Sequence, residues 1–153
     1  MSRGSDDVPA DAPNIELARR MIAAFDAGDD SAVDELIHAE YRDHAATDGR
    51  SGQEGVRETL AWTRETFGDP RTVVEDLIAS GDRVVARVRF TATQVGELDG
   101  VGATGRRLDV DHVHIWRVAE GRLAEHWMVR DDLSAMRQLG ALEPAAAAGG
   151  GAR

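Results

Sequence analysis

Residues Leu108–Gly140 read LDVDHVHIWRVAEGRLAEHWMVRDDLSAMRQLG, and this stretch constrains the fold more than any other. Two runs with β-like alternation, Leu108–Val118 and Arg122–Arg130, flank the short turn Ala119-Glu120-Gly121. Gly121 can supply the positive φ that a tight hairpin loop needs. A short helix, Leu133–Leu139, then ends on Gly140 as its C′ glycine. Three of the five histidines and two of the three tryptophans lie here. Side chains alternate faces along a strand. Val110, His112, His114 and Trp116 therefore share one face, and Asp109, Asp111, Val113, Ile115 and Arg117 the other. On the second run His126, Met128 and Arg130 share a face, against Glu125, Trp127 and Val129. A face that mixes apolar and titratable groups fits the lining of a wet pocket better than plain core.

Upstream, Asn14 can cap a helix over Ile15–Ala27, with Ile15, Ala18, Ile22 and Phe25 at helical spacing and Gly28 as its stop. A shorter helix over Ser31–Ile37 buries Val33, Leu36 and Ile37. His38–Asp43 (HAEYRD) reads as a short extended segment leading to His44. A third helix spans Gln53–Phe67, and Gly68-Asp69-Pro70 breaks it. Arg71–Ser80 reads as a strand. Arg83–Gln94 alternates cleanly, with Val84, Ala86, Val88, Phe90 and Ala92 on one face. Val95–Arg107 holds four glycines and reads as a mobile connection of the kind that often serves as a lid. Residues 1–13 read as a disordered arm, 14–142 as one domain, and the Ala/Gly-rich 143–153 as a disordered tail. Helices first, then about four antiparallel strands, then a short helix make an α+β fold: N-terminal helices on a curved, mainly antiparallel sheet.

Composition narrows the chemistry. At 153 residues the chain suits one domain with a real core. It has no cysteine, which removes disulfides, thiolate metal sites and a thiol nucleophile. All 18 basic residues are arginine, so no lysine amine is present for a Schiff base. A net charge of −10 argues against a nucleic-acid surface. No apolar run is long enough to span a bilayer, and the N-terminal residues lack the apolar centre of a signal peptide, so a cytoplasmic protein with no membrane partner is expected. No G-x-S-x-G elbow, P-loop or dinucleotide fingerprint occurs.

His112-x-His114 has metal-ligand spacing, with His126 across the hairpin as a third ligand, but such pairs are common on strands without a metal. As a general base, an imidazole here suits neutral pH; the alternative is a histidine that only orients ligand or water. His114 ranks ahead of His112. Asp131, just before Leu133, is a good N-cap, and it could also orient a histidine. His44, Tyr41, Trp62, Trp116, His126, Met128 and Phe90 are candidate substrate contacts.

Four segments, Arg19–Tyr41 (RRMIAAFDAGDDSAVDELIHAEY), Ala61–Asp69 (AWTRETFGD), Val95–Leu108 (VGELDGVGATGRRL) and His112–Gly140 with its EHW and RQLG, run in order over about Ala18–Gly140. In these the chain resembles the SnoaL-like polyketide cyclases of aromatic polyketide and anthracycline biosynthesis. The resemblance implies a conical α+β barrel of the nuclear-transport-factor-two type, a homodimer or homotetramer, an apolar cavity, no metal and no organic cofactor. It also implies ring closure by intramolecular aldol addition, with an aspartate as acid/base and a histidine on the preceding strand. The histidine position corresponds to His114. The aspartate position falls on Met128, whose thioether cannot move a proton, while Asp131 matches a family aspartate slightly further along. A branch of the family lacks that aspartate and is implicated in ring hydroxylation. On that ground the expected activity is cofactor-independent hydroxylation of a polycyclic aromatic polyketide, using His114, His112 and Asp131 and fed by a separate reductase. The alternative is the aldol cyclase with His126 or Asp131 as substitute acid/base. Epoxide or lactone hydrolysis and a hydrophobic-ligand carrier are further alternatives.

Overall fold

The computed structural model describes residues 11–142. Its elements are α1 (Ala12–Ala27), a 3₁₀ turn (Asp30–Ala32), α2 (Val33–Leu36), β1 (Ile37–Asp43), α3 (Gly52–Thr66), β2 (Phe67–Ser80), β3 (Arg83–Gln94), β4 (Arg107–Ala119), β5 (Arg122–Arg130) and α4 (Asp132–Gln138). The helix expected from Ile15 begins at Ala12. Asn14 therefore lies within it rather than capping it, and its amide donates to the Gly81 carbonyl at 3.0 Å. The expected tail and most of the expected arm lie outside the described residues. No helix among the described residues is long and apolar enough to cross a membrane.

The strands form one five-stranded mixed sheet in the order β1-β5-β4-β3-β2, with β1 and β2 as open edges. Four strands pair antiparallel, as their alternation implies. The fifth, β1, pairs parallel to β5. Glu120 and Gly121 both take positive φ, 52° and 71°, the mirror-image turn that matches strand twist in a two-residue hairpin loop.

Two expectations about breaks need correction. Gly68-Asp69-Pro70 ends α3 but does not delay β2, which already runs from Phe67. A register shift between Gly68 and Arg71 absorbs the irregularity, and Pro70 sits on an edge strand where a missing N–H costs little. The glycine-rich connection after β3 is also not loose. Gln94, fully buried, donates its amide to the carbonyls of Val101 and Gly102 and accepts from the N–H and hydroxyl of Thr104. Leu98 from the same segment is buried against Phe90, Leu108 and Leu139. Gly96 crosses so close to the end of α3 that a Cβ there would stand 2.4 Å from the Glu65 carbonyl oxygen. These contacts tie the segment to the core.

The helices cover one face of the sheet. β3 turns Val84, Ala86, Val88, Phe90 and Ala92 toward them, all buried. The ladder sets these residues beside Trp116, His114, His112, Val110 and Leu108 of β4. One core cluster joins α1, α2 and α3 to the Trp116 end of the sheet, and a second joins Phe90, Leu108 and Val110 to α4. The cavity opens between them.

Candidate active site

The hairpin parity fixes which side chains enter the cavity. Ala86, His114 and Met128 form one row across β3, β4 and β5; Val88, His112 and Arg130 form the next; Val84, Trp116 and His126 the one on the other side. All three rows point at the helices, and the histidines of both strands meet in a cavity of about 490 Å³.

His114 Nδ1 lies 3.0 Å from His126 Nε2, and His126 Nδ1 lies 3.0 Å from Asp43 Oδ1. The two imidazole planes differ by 16° with centroids 5.3 Å apart, so the rings lie edge to edge in line with the bond. Asp43 stands directly beside His126 because β1 pairs parallel with β5 there. Between Ile37 and Arg42 the register slips, and this bulge sets which β1 residue meets His126.

The electrostatics order the chain of protons. Burial alone would raise the Asp43 pKa. The hydrogen bond and charge of His126, together with the backbone N–H groups of Ala45 and Ala46, outweigh burial and hold it below the usual carboxylate range. Ionised Asp43 can only accept, so His126 Nδ1 carries the proton. A His126 that holds a single proton, on Nδ1, accepts at Nε2 from His114 Nδ1–H, which leaves the lone pair on His114 Nε2. Burial first, then the positive charge that His126 or His112 presents when protonated and that of Arg130, pushes the His114 pKa well below its ordinary value. Among the described residues, Nε2 has no hydrogen-bond partner, yet no buried side-chain nitrogen or oxygen is left unpaired, so Nε2 is open to the cavity. His114 Nε2 is thus a neutral base facing the ligand space. When it takes a proton, Nδ1 can pass its own to His126, and the positive charge comes to rest beside Asp43. A deeply buried imidazole can then act as a base without itself holding a buried charge.

His112 has no such partner. Its pKa is pushed down to about 4, by burial and then by Arg130, with Asp132 and Asp111 opposing. It stacks on Phe90 at 5.4 Å between centroids and 24° between planes. Trp62, Phe67 and Phe90 continue the wall in edge-to-face steps of 5.5 and 5.3 Å. Aromatic rings therefore line the cavity from Trp62 to Trp116, a surface suited to a flat polycyclic ligand. Arg130 at the rim is held by Asp132 at 3.0 Å.

Of the residues expected from sequence, His112, His114, Asp131, Tyr41, Trp62, Phe90, Trp116, His126 and Met128 line the cavity. His44 does not: its ring stacks outside on Trp127, 4.6 Å away and within 6° of parallel, and its Nε2 meets Glu125 at 2.9 Å. Asp131 lies at the rim, but its carboxylate accepts from the Ser134 N–H at 3.0 Å and hydroxyl at 2.7 Å, so it caps α4 and orients no histidine. The carboxylate that does so is Asp43, which is not among the residues expected from sequence. Its one signal was parity with Tyr41 at the end of the HAEYRD strand. No group of three or more histidines and carboxylates among the described residues is disposed to hold a metal ion.

Comparison with known proteins agrees with the fold. Residues 15–139 match the family described as SnoaL-like polyketide cyclase. The chain is 32% identical over 130 residues to the aklanonic acid methyl ester cyclase DnrD of Streptomyces peucetius, covering 82% of this chain and 90% of that one. It is 31% identical over 123 residues to the nogalonic acid methyl ester cyclase of Streptomyces nogalater, covering 78% and 92%. The solved structure of TsrD from Streptomyces laurentii superposes with a TM-score of 0.80 at 36% identity, covering 86% of this chain and 97% of that one.

Proposed function

The chain belongs to the SnoaL-like polyketide cyclase family, a family of enzymes, and we propose that it closes a ring in an open-chain aromatic polyketide methyl ester by intramolecular aldol addition. The observation that carries this reading is the hydrogen-bonded chain Asp43–His126–His114 in an aromatic-walled cavity. The residue opposite His114 is Met128, so the expected acid/base carboxylate is missing there. That absence underlies the expectation of hydroxylation. With Asp43 acting through His126, the site has its acid/base after all, and the named relatives are cyclases.

The reaction follows from the geometry. The polycyclic part of the substrate lies along Trp62, Phe90 and Trp116. His114 Nε2 takes a proton from the carbon activated by its flanking carbonyls. The carbanion's electron pair forms the new C–C bond, the attacked carbonyl becomes an alkoxide, and the protonated relay returns the proton to it. Substrate and product are isomers, so the step needs no oxygen and no reductase. General acid–base catalysis of this kind contributes roughly a hundred- to ten-thousand-fold. Incubating an open-chain anthraquinone β-keto methyl ester with the protein should give a cyclic product of unchanged mass. His114→Gln should lower kcat at least a hundredfold. A wild-type rate equal to the buffer rate would end this reading.

We also place a contact between two copies on the uncovered face of the sheet. Ile78, Val85, Ile115 and Trp127 align across β2–β5 there, with Val113 and Val129 beside them. Val129 is 72% exposed. In a chain of net charge −10, this face carries balanced pairs, Arg87 with Asp76 and Arg117 with Glu125. That balance suits a self-complementary contact. Light scattering should give twice the chain mass and Val129→Arg the single mass; a single mass for the wild type would refute the contact.

A further inference from the structure

Tyr41 is the chain's only tyrosine. It leaves β1 two residues before Asp43, on the same face, and both side chains line the cavity. Its ring is packed in the core cluster with Leu36, Leu60 and Trp116, and the residue is only 4% exposed. The hydroxyl has no hydrogen-bond partner among the described residues, yet none of their buried side-chain oxygens is unpaired. Both hold if Oη reaches an accessible surface: the residue borders a second recess beside Glu40 and Arg117, but its side chain shares the Asp43 face of β1, which is the face that lines the cavity. Nothing in the described fold uses this hydroxyl. A phenylalanine would fill the same space without bringing a polar group to an apolar wall. The hydroxyl therefore serves whatever enters.

Its state is fixed. Burial, and after it the negative charge of Asp43, hold the phenol well above its ordinary pKa. At neutral pH it is a donor beside the far end of the proton relay.

We propose that the Tyr41 hydroxyl donates a hydrogen bond to the oxygen of the ligand carbonyl attacked in ring closure, which makes Tyr41 a further catalytic residue. This rests on the ring-closing reading above. His114 removes the C–H proton, the new C–C bond forms, and the carbonyl π pair moves onto the oxygen that Tyr41 holds. The bond strengthens as charge develops on that oxygen, so it acts on kcat more than on KM. The alkoxide then takes back the proton from the relay, and Tyr41 ends as it began.

The test is Tyr41→Phe, which keeps the ring and should leave the melting temperature within a few degrees. For ring closure, kcat should fall about a hundred- to a thousandfold, the range for loss of one oxyanion donor, with KM changed less than about threefold. A second readout needs no turnover: the Raman carbonyl stretch of bound 9,10-anthraquinone. It should lie lower in the wild type than in Tyr41→Phe, because a donated hydrogen bond weakens C=O. A Tyr41-dependent lowering supports the donor even if the wild type closes no ring, in which case only the ring-closing reading falls. An identical stretch in both proteins overturns the donor, whether or not the ring closes. Wild-type kcat in Tyr41→Phe overturns its catalytic part.

Discussion

Replacing Asp43 with asparagine keeps the volume and one acceptor oxygen but removes the charge from the end of the relay. In the proposed mechanism the positive charge gained from the substrate proton comes to rest on His126, whose Nδ1 is 3.0 Å from Asp43 Oδ1. The side chains are 11% and 18% exposed, so water screens the pair weakly. Two unit charges with centres about 4 Å apart attract by about 4 kcal/mol at an effective dielectric of about 20. Each ~1.4 kcal/mol of transition-state stabilisation is a factor of ten, so full loss corresponds to nearly a thousandfold. Some charge is retained elsewhere in the relay. Asp43→Asn should therefore lower kcat between about a hundred- and a thousandfold. The amide can also rotate to donate to His126 Nδ1. His126 would then donate from Nε2 to His114 Nδ1, leaving a hydrogen on His114 Nε2, the wrong form for a base. The assay is initial-rate ring closure, with melting measured in parallel. The folded pKa of Asp43 is depressed, so its contribution to stability is present above the unfolded pKa of about 4 and lost as pH falls through the folded value. The variant should melt below the wild type at pH 7, and the gap should close in acid. Turnover within threefold of wild type would refute the relay.

Other consequences follow from the same geometry. Met128→Asp puts a carboxylate opposite His114; it should raise the His114 pKa and restore at least tenfold of the activity lost in Asp43→Asn, and a double variant no faster than Asp43→Asn would show that the two positions do not substitute. Asp131→Ala should lower stability as a lost helix cap while leaving kcat within about threefold, read by chemical denaturation beside the rate assay; a hundredfold rate loss would return Asp131 to the catalytic set. His112 titrates near 4 when folded and near 6.5 when unfolded, so the unfolded chain binds the extra proton first, and His112 should contribute a stability loss of roughly 3 kcal/mol as pH drops from 6.5 toward 4, beside the loss from the depressed His114. His112→Asn should remove most of the His112 contribution; an unchanged acid slope would mean that other groups cause it.

The strand arithmetic was readable because period two is strict. Once Leu108–Val118 and Arg122–Arg130 are strands, His112, His114, His126 and Met128 must share the face that lines the cavity. The Ala119-Glu120-Gly121 turn announced the hairpin for the same local reason. Asp43 was hidden because its role depends on a parallel pairing between strands 83 residues apart and on a bulge within it; no local pattern encodes either. His44 lies just past the end of β1, where the chain turns its ring out onto Trp127 and Glu125 while Asp43 enters the cavity. The glycines after β3 looked mobile because the anchor, Gln94, belongs to the preceding strand, where a buried amide at the end of an alternating run reads as one more facing residue.

The most direct test of the relay is the nitrogen NMR of the histidine rings in the resting enzyme at neutral pH. The account predicts His114 protonated on Nδ1 with a free Nε2, His126 protonated on Nδ1, and a scalar coupling across the His114 Nδ1–H···Nε2 His126 hydrogen bond that is lost in His126→Gln. A resting His114 carrying its proton on Nε2 would contradict it, because no lone pair would then face the cavity.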